Sequence, residues 1–205
     1  MSVAYREGIP ALEQVHDEGG RSLGWWGMMF FIASEALIFA NLIAAYLYLE
    51  IRQGGHGWHL PSEIWYPLIN TVILLGSSAP IHYIAAKGIE KGSQQRLIWG
   101  LLATIVMGAI FLGGQVYEYS SLISEGFTPQ SQLFGSAFFT LTGFHGLHVT
   151  VGLIFLLIVF VRALNGHFTK ERHFAFQAGE MYWHFVDVVW IFVFSIVYLL
   201  PLLRG

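Results

Sequence analysis

The sequence predicts an all-α fold, an integral membrane bundle of five transmembrane helices, and three observations predict it. Of the 205 residues, 55% are hydrophobic and only 11% are charged, under half the charge that an ordinary soluble domain carries (about 25%). The apolar residues fall into five runs of 20 residues or more, the length a helix needs to cross a hydrocarbon core of about 30 Å. The runs also lack the period-2 alternation of barrel strands, so helices satisfy the backbone in lipid. A disordered chain and an ordinary soluble enzyme are excluded by the same figures. The formal charge of −3 is too weak to imply a nucleic-acid partner. With no cysteine, disulfides, iron–sulfur clusters and thiolate metal sites are excluded within the chain.

Residues 1–22 form a polar tail with Glu7, Glu13, Asp17 and Glu18 and no apolar core. This is not a signal peptide, so the first span is expected to insert uncleaved. A single transmembrane domain, 23–203, follows, with spans at about 23–49, 64–86, 97–116, 133–161 and 181–203. Gly88 and Gly92 end the second span, Gly126 and Pro129 turn the chain after the third, and Asn165-Gly166 closes the fourth. Pro80 lies inside the second span and is expected to kink it. The connections are short, leaving no room for a soluble catalytic domain. No internal repeat supports an inverted-repeat transporter. Arg6, Arg21, Lys87, Lys91, Arg96, Arg162, Lys170 and Arg172 fall on one side, against Arg52 and Arg204 on the other. The positive-inside rule therefore places the N-terminus inside and the C-terminus outside.

Ionisable groups at bilayer depth are costly and are functional candidates by default. Glu35 lies near the middle of the first span and Glu118 closes the third. His145 and His148 share a face of the fourth span at i, i+3 spacing, and His184 and Asp187 repeat that spacing in the fifth. Glu35 has two readings: a carboxyl that exchanges a proton or donates a hydrogen bond, and an acid held structurally by a neighbouring helix. A His-x-x-His pair is compatible with zinc, copper or non-haem iron. A di-iron carboxylate bundle, however, uses Glu-x-x-His on two helices, and the spans contain none. A bis-histidine haem needs two histidines at one depth, whereas His145 and His184 differ by roughly 10–15 Å at about 1.5 Å per residue. No metal is therefore expected in this chain, and interhelical hydrogen bonds are the role expected of these groups. Gly143 and Gly146, with Gly135 and Ser136 nearby, suggest that the fourth span is the packing centre. No ring of like charge or carbonyl filter suggests a channel.

A second group lies at the inner interface. Arg162, His167, Lys170, Arg172 and His173 accompany Trp25, Trp26, Tyr83, Tyr182 and Trp183. Cations and aromatics at headgroup level suit phospholipid, and they also suit ordinary snorkelling and an aromatic belt. Arg162, at the end of a long span, is the residue placed to hold a lipid phosphate.

Five stretches carry a resemblance over about residues 20–200. They are Ile32-Ala-Ser-Glu-Ala-Leu, Leu68-Ile-Asn-Thr, Gln115 with Glu118-Tyr119, Gly135-Ser-Ala-Phe-Phe continuing to Thr142-Gly-Phe-His-Gly-Leu-His-Val149, and Tyr182-Trp-His-Phe-Val-Asp-Val-Val-Trp190. In this order they resemble subunit III of the haem–copper terminal oxidases, the family of cytochrome c and quinol oxidases. Longer members have seven spans, so this chain resembles the short five-helix bacterial form. The resemblance implies an accessory subunit in the bacterial plasma (inner) membrane, without haem or copper of its own, beside the catalytic subunit I and subunit II that hold them. It also implies bound phospholipid and support for proton uptake and turnover stability. On this basis Glu35 matches the family's intramembrane glutamate, and Arg162 and His167 match its lipid head-group contacts. Trp25 and Trp26 match the expected lipid region. Two other readings are a small subunit attached to nitric oxide reductase and a proton-coupled transporter using Glu35.

Overall fold

The first helix begins where Ser22 accepts the Trp25 N–H on its hydroxyl oxygen at 3.3 Å, supplying a partner to one of the orphan donors of a helix N-terminus. The computed structural model describes residues 22–53 and 64–204, so the polar tail up to residue 21, with its arginines, lies outside the described residues. Five helices are long and apolar enough to cross a membrane: α1 Leu23–Arg52, α2 Trp65–Glu90, α3 Gln94–Ser124, α4 Leu133–Leu164 and α5 Phe174–Leu202. No strand occurs among the described residues.

Helix ends follow local chemistry. Gly92, Gly126 and Gly166 have φ of +66°, +83° and +70°, a left-handed conformation that glycine adopts without steric cost. Each closes its helix with paired bonds. After α3, for example, Gly126 N–H donates to Ile123 O at 3.0 Å and Phe127 N–H to Leu122 O at 2.9 Å, the double capture of terminal carbonyls that ends many helices. Gly88 does not end its helix. It lies in the last turn of α2, where an added Cβ would stand 2.6 Å from the Leu97 nitrogen, so its smallness serves the tight α2–α3 turn.

Pro80 has no N–H to give the helical ladder. The chain accommodates it by widening into π-helix over Pro80–Ala86 before α-helix resumes. A second π segment, Ser195–Leu199, interrupts α5. The third and fifth helices extend well beyond their apolar runs. Glu118 sits six residues inside the end of α3, and α5 starts at Phe174 rather than Met181. Their polar residues look like helix ends in sequence because they lower local hydropathy, yet neighbouring helices satisfy them.

Helices that pack on one another run antiparallel in the pairs α1–α4, α2–α3 and α2–α5. Tyr46 of α1 meets Phe134 of α4, while Glu35 meets His148. Ser77 of α2 meets Thr104 of α3, and Thr71 meets Trp190 of α5. α5 is the central helix, packed on α1, α2 and α4 and reaching α3 through Trp183, which lies against Gly108. α1 is peripheral: 6% of its apolar stretch is buried, against 33–44% for the other four.

Side-chain hydrogen bonds tie the helices together where the hydrophobic effect contributes little in lipid. Asn70 Nδ2 donates to Phe111 O (3.0 Å). Trp183 Nε1 donates to Ser77 Oγ and Trp190 Nε1 to Thr71 Oγ1, each at 2.9 Å. The close approach of helix backbones lies between α2 and α3; in α4, a Cβ added at Gly135 would meet the Thr128 carbonyl of the preceding turn. A Cβ at Gly100 would fall 2.5 Å from the Ala85 nitrogen, whereas one at Gly146 would meet nothing within 4 Å. Gly143 likewise has only the Tyr119 hydroxyl nearby, at 3.6 Å. Gly146 thus faces open space and Gly143 makes only an ordinary contact, because α4 meets its neighbours there through large side chains.

Candidate functional site

The intramembrane acids and histidines separate into four places. Midway along α1 and α4, His148 Nε2 lies 3.0 Å from Glu35 Oε2, and His148 Nδ1 lies 2.8 Å from Phe144 O. A carbonyl oxygen can only accept, so Nδ1 carries a hydrogen. Nε2 is thereby the nitrogen that faces the carboxyl, and the contact joins α1 to α4. Phe39 and Phe144 enclose the ring at centroid distances of 4.8 Å each. The Tyr182 hydroxyl donates to His148 O at 3.4 Å. The Glu35 side chain keeps 19% exposure, so one edge of the pair faces outward from the chain.

His145, one turn away, is fully enclosed. It stacks on Trp190 at 4.6 Å with a 30° interplanar angle and meets the edge of Phe111 at 6.1 Å. Neither ring nitrogen finds a hydrogen-bond partner among the described residues. The interhelical hydrogen bond expected of His145 is therefore replaced by aromatic packing, because the surfaces around it are Trp190 and Phe111.

Glu118 occupies the opposite half of the bundle. Tyr198 donates its hydroxyl to Oε1 at 2.9 Å, and Gln115 Nε2 donates to Oε2 at 3.2 Å. Both carboxyl oxygens are thus held from α3 and α5. Nearby, the Tyr119 and Thr142 hydroxyls pair at 2.6 Å, and Thr142 donates to Phe138 O.

His184 and Asp187 meet Ser78 of α2. A carboxylate accepts, so the Ser78 hydroxyl donates to Asp187 Oδ2 and receives the Nδ1–H of His184 at 3.0 Å. His184 Nε2 points the other way, 3.8 Å from Glu180 Oε1. Glu180 Oε1 also accepts from His82 Nδ1 at 3.0 Å. Sequence reasoning did not bring His82 and Glu180 here. The signal was the Glu180-x-x-x-His184 spacing, which puts two ligand-type residues on one helix face. His82 lies on another helix and carries no such mark.

The interfacial group divides. Arg162 and His167 are exposed, and the Arg162 guanidinium lies over the Phe168 ring at 5.5 Å. Trp26 is 46% exposed and packs edge-on with Trp25, at the same end of the bundle. Tyr182 and Trp183 do not belong with them. They are buried, at 4% and 0% exposure, because α5 is central and begins two turns before them. A lipid head group cannot reach either ring.

Long apolar helices, three of their connections short, with polar pairs between helices, define a multi-pass membrane protein. Comparison with known sequences identifies which kind. Residues 14–201 match the family described as cytochrome c oxidase subunit III. A cytochrome c oxidase subunit 3 of Thermostichus vulcanus is 41% identical over 181 residues, covering 85% of this chain and 86% of that protein. Relatives of the same description from Anopheles gambiae and Marchantia polymorpha are each 40% identical. They cover 84% of this chain and 68% and 67% of their own lengths. The chain belongs to the cytochrome c oxidase subunit III family.

Proposed function

We propose that this chain is the accessory, non-redox subunit of a proton-pumping haem–copper oxygen reductase, a cytochrome c oxidase of aerobic respiration in a bacterial plasma membrane. It packs beside the catalytic subunit I and subunit II, which hold the haem and copper. The largely unburied apolar face of α1, with Phe30 72% and Leu37 67% exposed, supports a neighbour or lipid on that side. Lys87, Lys91, Arg96, Arg162, Lys170 and Arg172 gather at one end of the bundle, which supports an inward-facing N-terminus. Arg162 is stacked on Phe168 and pairs with no carboxylate among the described residues, which supports phospholipid binding there with His167, Trp25 and Trp26 at the same end.

One observation carries the proton role: the Glu35 carboxyl and the His148 imidazole meet between α1 and α4, 3.0 Å apart, with the carboxyl partly open. A proton passed from Glu35 to His148 Nε2 stays within the pair, so a net relay needs a second donor or acceptor at the exposed edge of the carboxyl. In this reading the pair supports proton uptake by the catalytic subunit without any redox step in this chain. Glu118, with both oxygens held by protein donors, and His145, stacked on Trp190, are structural. The test is Glu35→Ala in the intact oxidase. Assembly is expected to persist, with proton uptake mildly slowed or catalytic lifetime shortened. Complete loss of oxygen reduction in a fully assembled complex overturns the accessory role.

A further inference from the structure

At the inner end of α2 and α5, three ligand-type side chains converge away from the Glu35–His148 pair. We propose that His82, Glu180 and His184 bind one zinc-type divalent ion, linking the π-helical segment of α2 to α5. His82 Nδ1, Glu180 Oε1 and His184 Nε2 all lie within 4.8 Å of one another, with two separations of 3.0 and 3.8 Å. Four-coordinate zinc with bonds of about 2.0–2.1 Å sets its ligand atoms roughly 3.3 Å apart. The three atoms therefore reach an ion with small side-chain movements, and two imidazoles with one carboxylate suit zinc.

The surroundings orient the ligands. Ser78 accepts the Nδ1–H of His184 while donating to Asp187. That leaves Nε2, 3.8 Å from Glu180 Oε1, as the nitrogen that can take the ion. A metal-binding imidazole is usually held in this way through its other nitrogen. Glu180 and His184 share one face of α5 at i, i+4, and the π turn that follows Pro80 presents His82 across from them. Widened helical turns of this kind recur at functional sites. Access is provided by a cavity of about 400 Å³ bordered by His82, Glu90, His173, Gln177 and Glu180. The His82 side chain is 57% exposed and that of His184 41%. On binding, the Nδ1 proton of His82 passes to its exposed Nε2 or to water, and Nδ1 becomes a ligand.

The experiment uses the purified oxidase complex, stripped with chelator and re-equilibrated with zinc chloride alone. Retained zinc is quantified by mass spectrometry, and its ligands are read by X-ray absorption at the zinc edge. Wild type is expected to hold one zinc more per complex than His82→Ala, with imidazole scattering in the difference. His82→Ala and Glu180→Gln should each weaken zinc binding at least tenfold, and Ser78→Ala by roughly 10–100-fold. His173→Ala, in the same cavity but outside the ligand set, should leave binding unchanged. Glu180→Gln keeps the side chain's shape, so it reports binding even where His82→Ala impairs assembly. Equal zinc in wild type and Glu180→Gln overturns the site, as does zinc without imidazole ligands, or a loss in His173→Ala equal to that in His82→Ala.

Discussion

His145 and His148 stand three residues apart, yet their surroundings give them different chemistry. His148 faces α1 and its carboxyl, so it takes part in an interhelical hydrogen bond. His145 faces Trp190 and Phe111, so it behaves as an aromatic core residue. A rotation of about 60° around the helix separates the two, and spacing along the chain does not say which face meets what. The same uncertainty explains Tyr182 and Trp183. Both sit in an aromatic stretch that suits an interface, but the polar stripe of Gln177, Glu180, His184 and Asp187 packs toward α2 in part, so its presence does not say which rings are buried. Arg162 differs, because its charge keeps its head group at the aqueous edge whatever the packing. Arg162→Ala is expected to lower the phospholipid carried by each complex, measured by mass spectrometry of the extracted assembly. Unchanged lipid content rejects that role.

Among the elements, α2 and α3 form the tightest pair. Their backbones approach through Gly88, Gly100 and Gly114, the last packed against the Asn70 amide. Gly100→Ala forces a methyl group toward the Ala85 backbone, which has no flexible end to swing aside. A destabilisation of about 1–3 kcal/mol follows from such overpacking. Gly146→Ala adds its methyl to open space and should leave stability unchanged or slightly raised, since alanine suits a helix interior better. Thermal denaturation of the two purified variants against wild type measures the contrast, and equal midpoints count against a close α2–α3 contact. The glycines of α4 looked like the packing device because small residues in a membrane helix commonly mark close approach. The glycines that bring two helix backbones together are Gly88 of α2 and Gly100 of α3, while Gly135 of α4 meets the Thr128 carbonyl of the preceding turn. Pro80 was legible as a disturbance of α2, while its form, a π-helical segment carrying His82 toward α5, depended on the neighbouring helices.

For the whole molecule, five antiparallel helices bring every described lysine, and every described arginine but Arg52 and Arg204, to one end. That asymmetry makes the orientation testable. The chain has no cysteine, so single substitutions serve as clean reporters. Ser93→Cys, between α2 and α3, is expected to react with an impermeant thiol reagent only from the inner side of sealed membranes. Ser131→Cys, between α3 and α4, should react only from the outer side. The reverse pattern rejects an inward N-terminus.

The amino-acid sequence by itself determined the number of crossings, the helical class, the family and the few polar residues worth watching. It could do so because each membrane helix satisfies its own backbone and must be apolar over a fixed length, both local requirements. Tertiary structure alone decided which polar groups meet. Glu35 and His148 are 113 residues apart, and His82 and Glu180 are 98 apart. Their encounters follow from helix rotation and depth, set by packing around Trp183 and Trp190. No local pattern encodes that packing, since a nearly uniform apolar surface can turn many ways before its neighbours lock it.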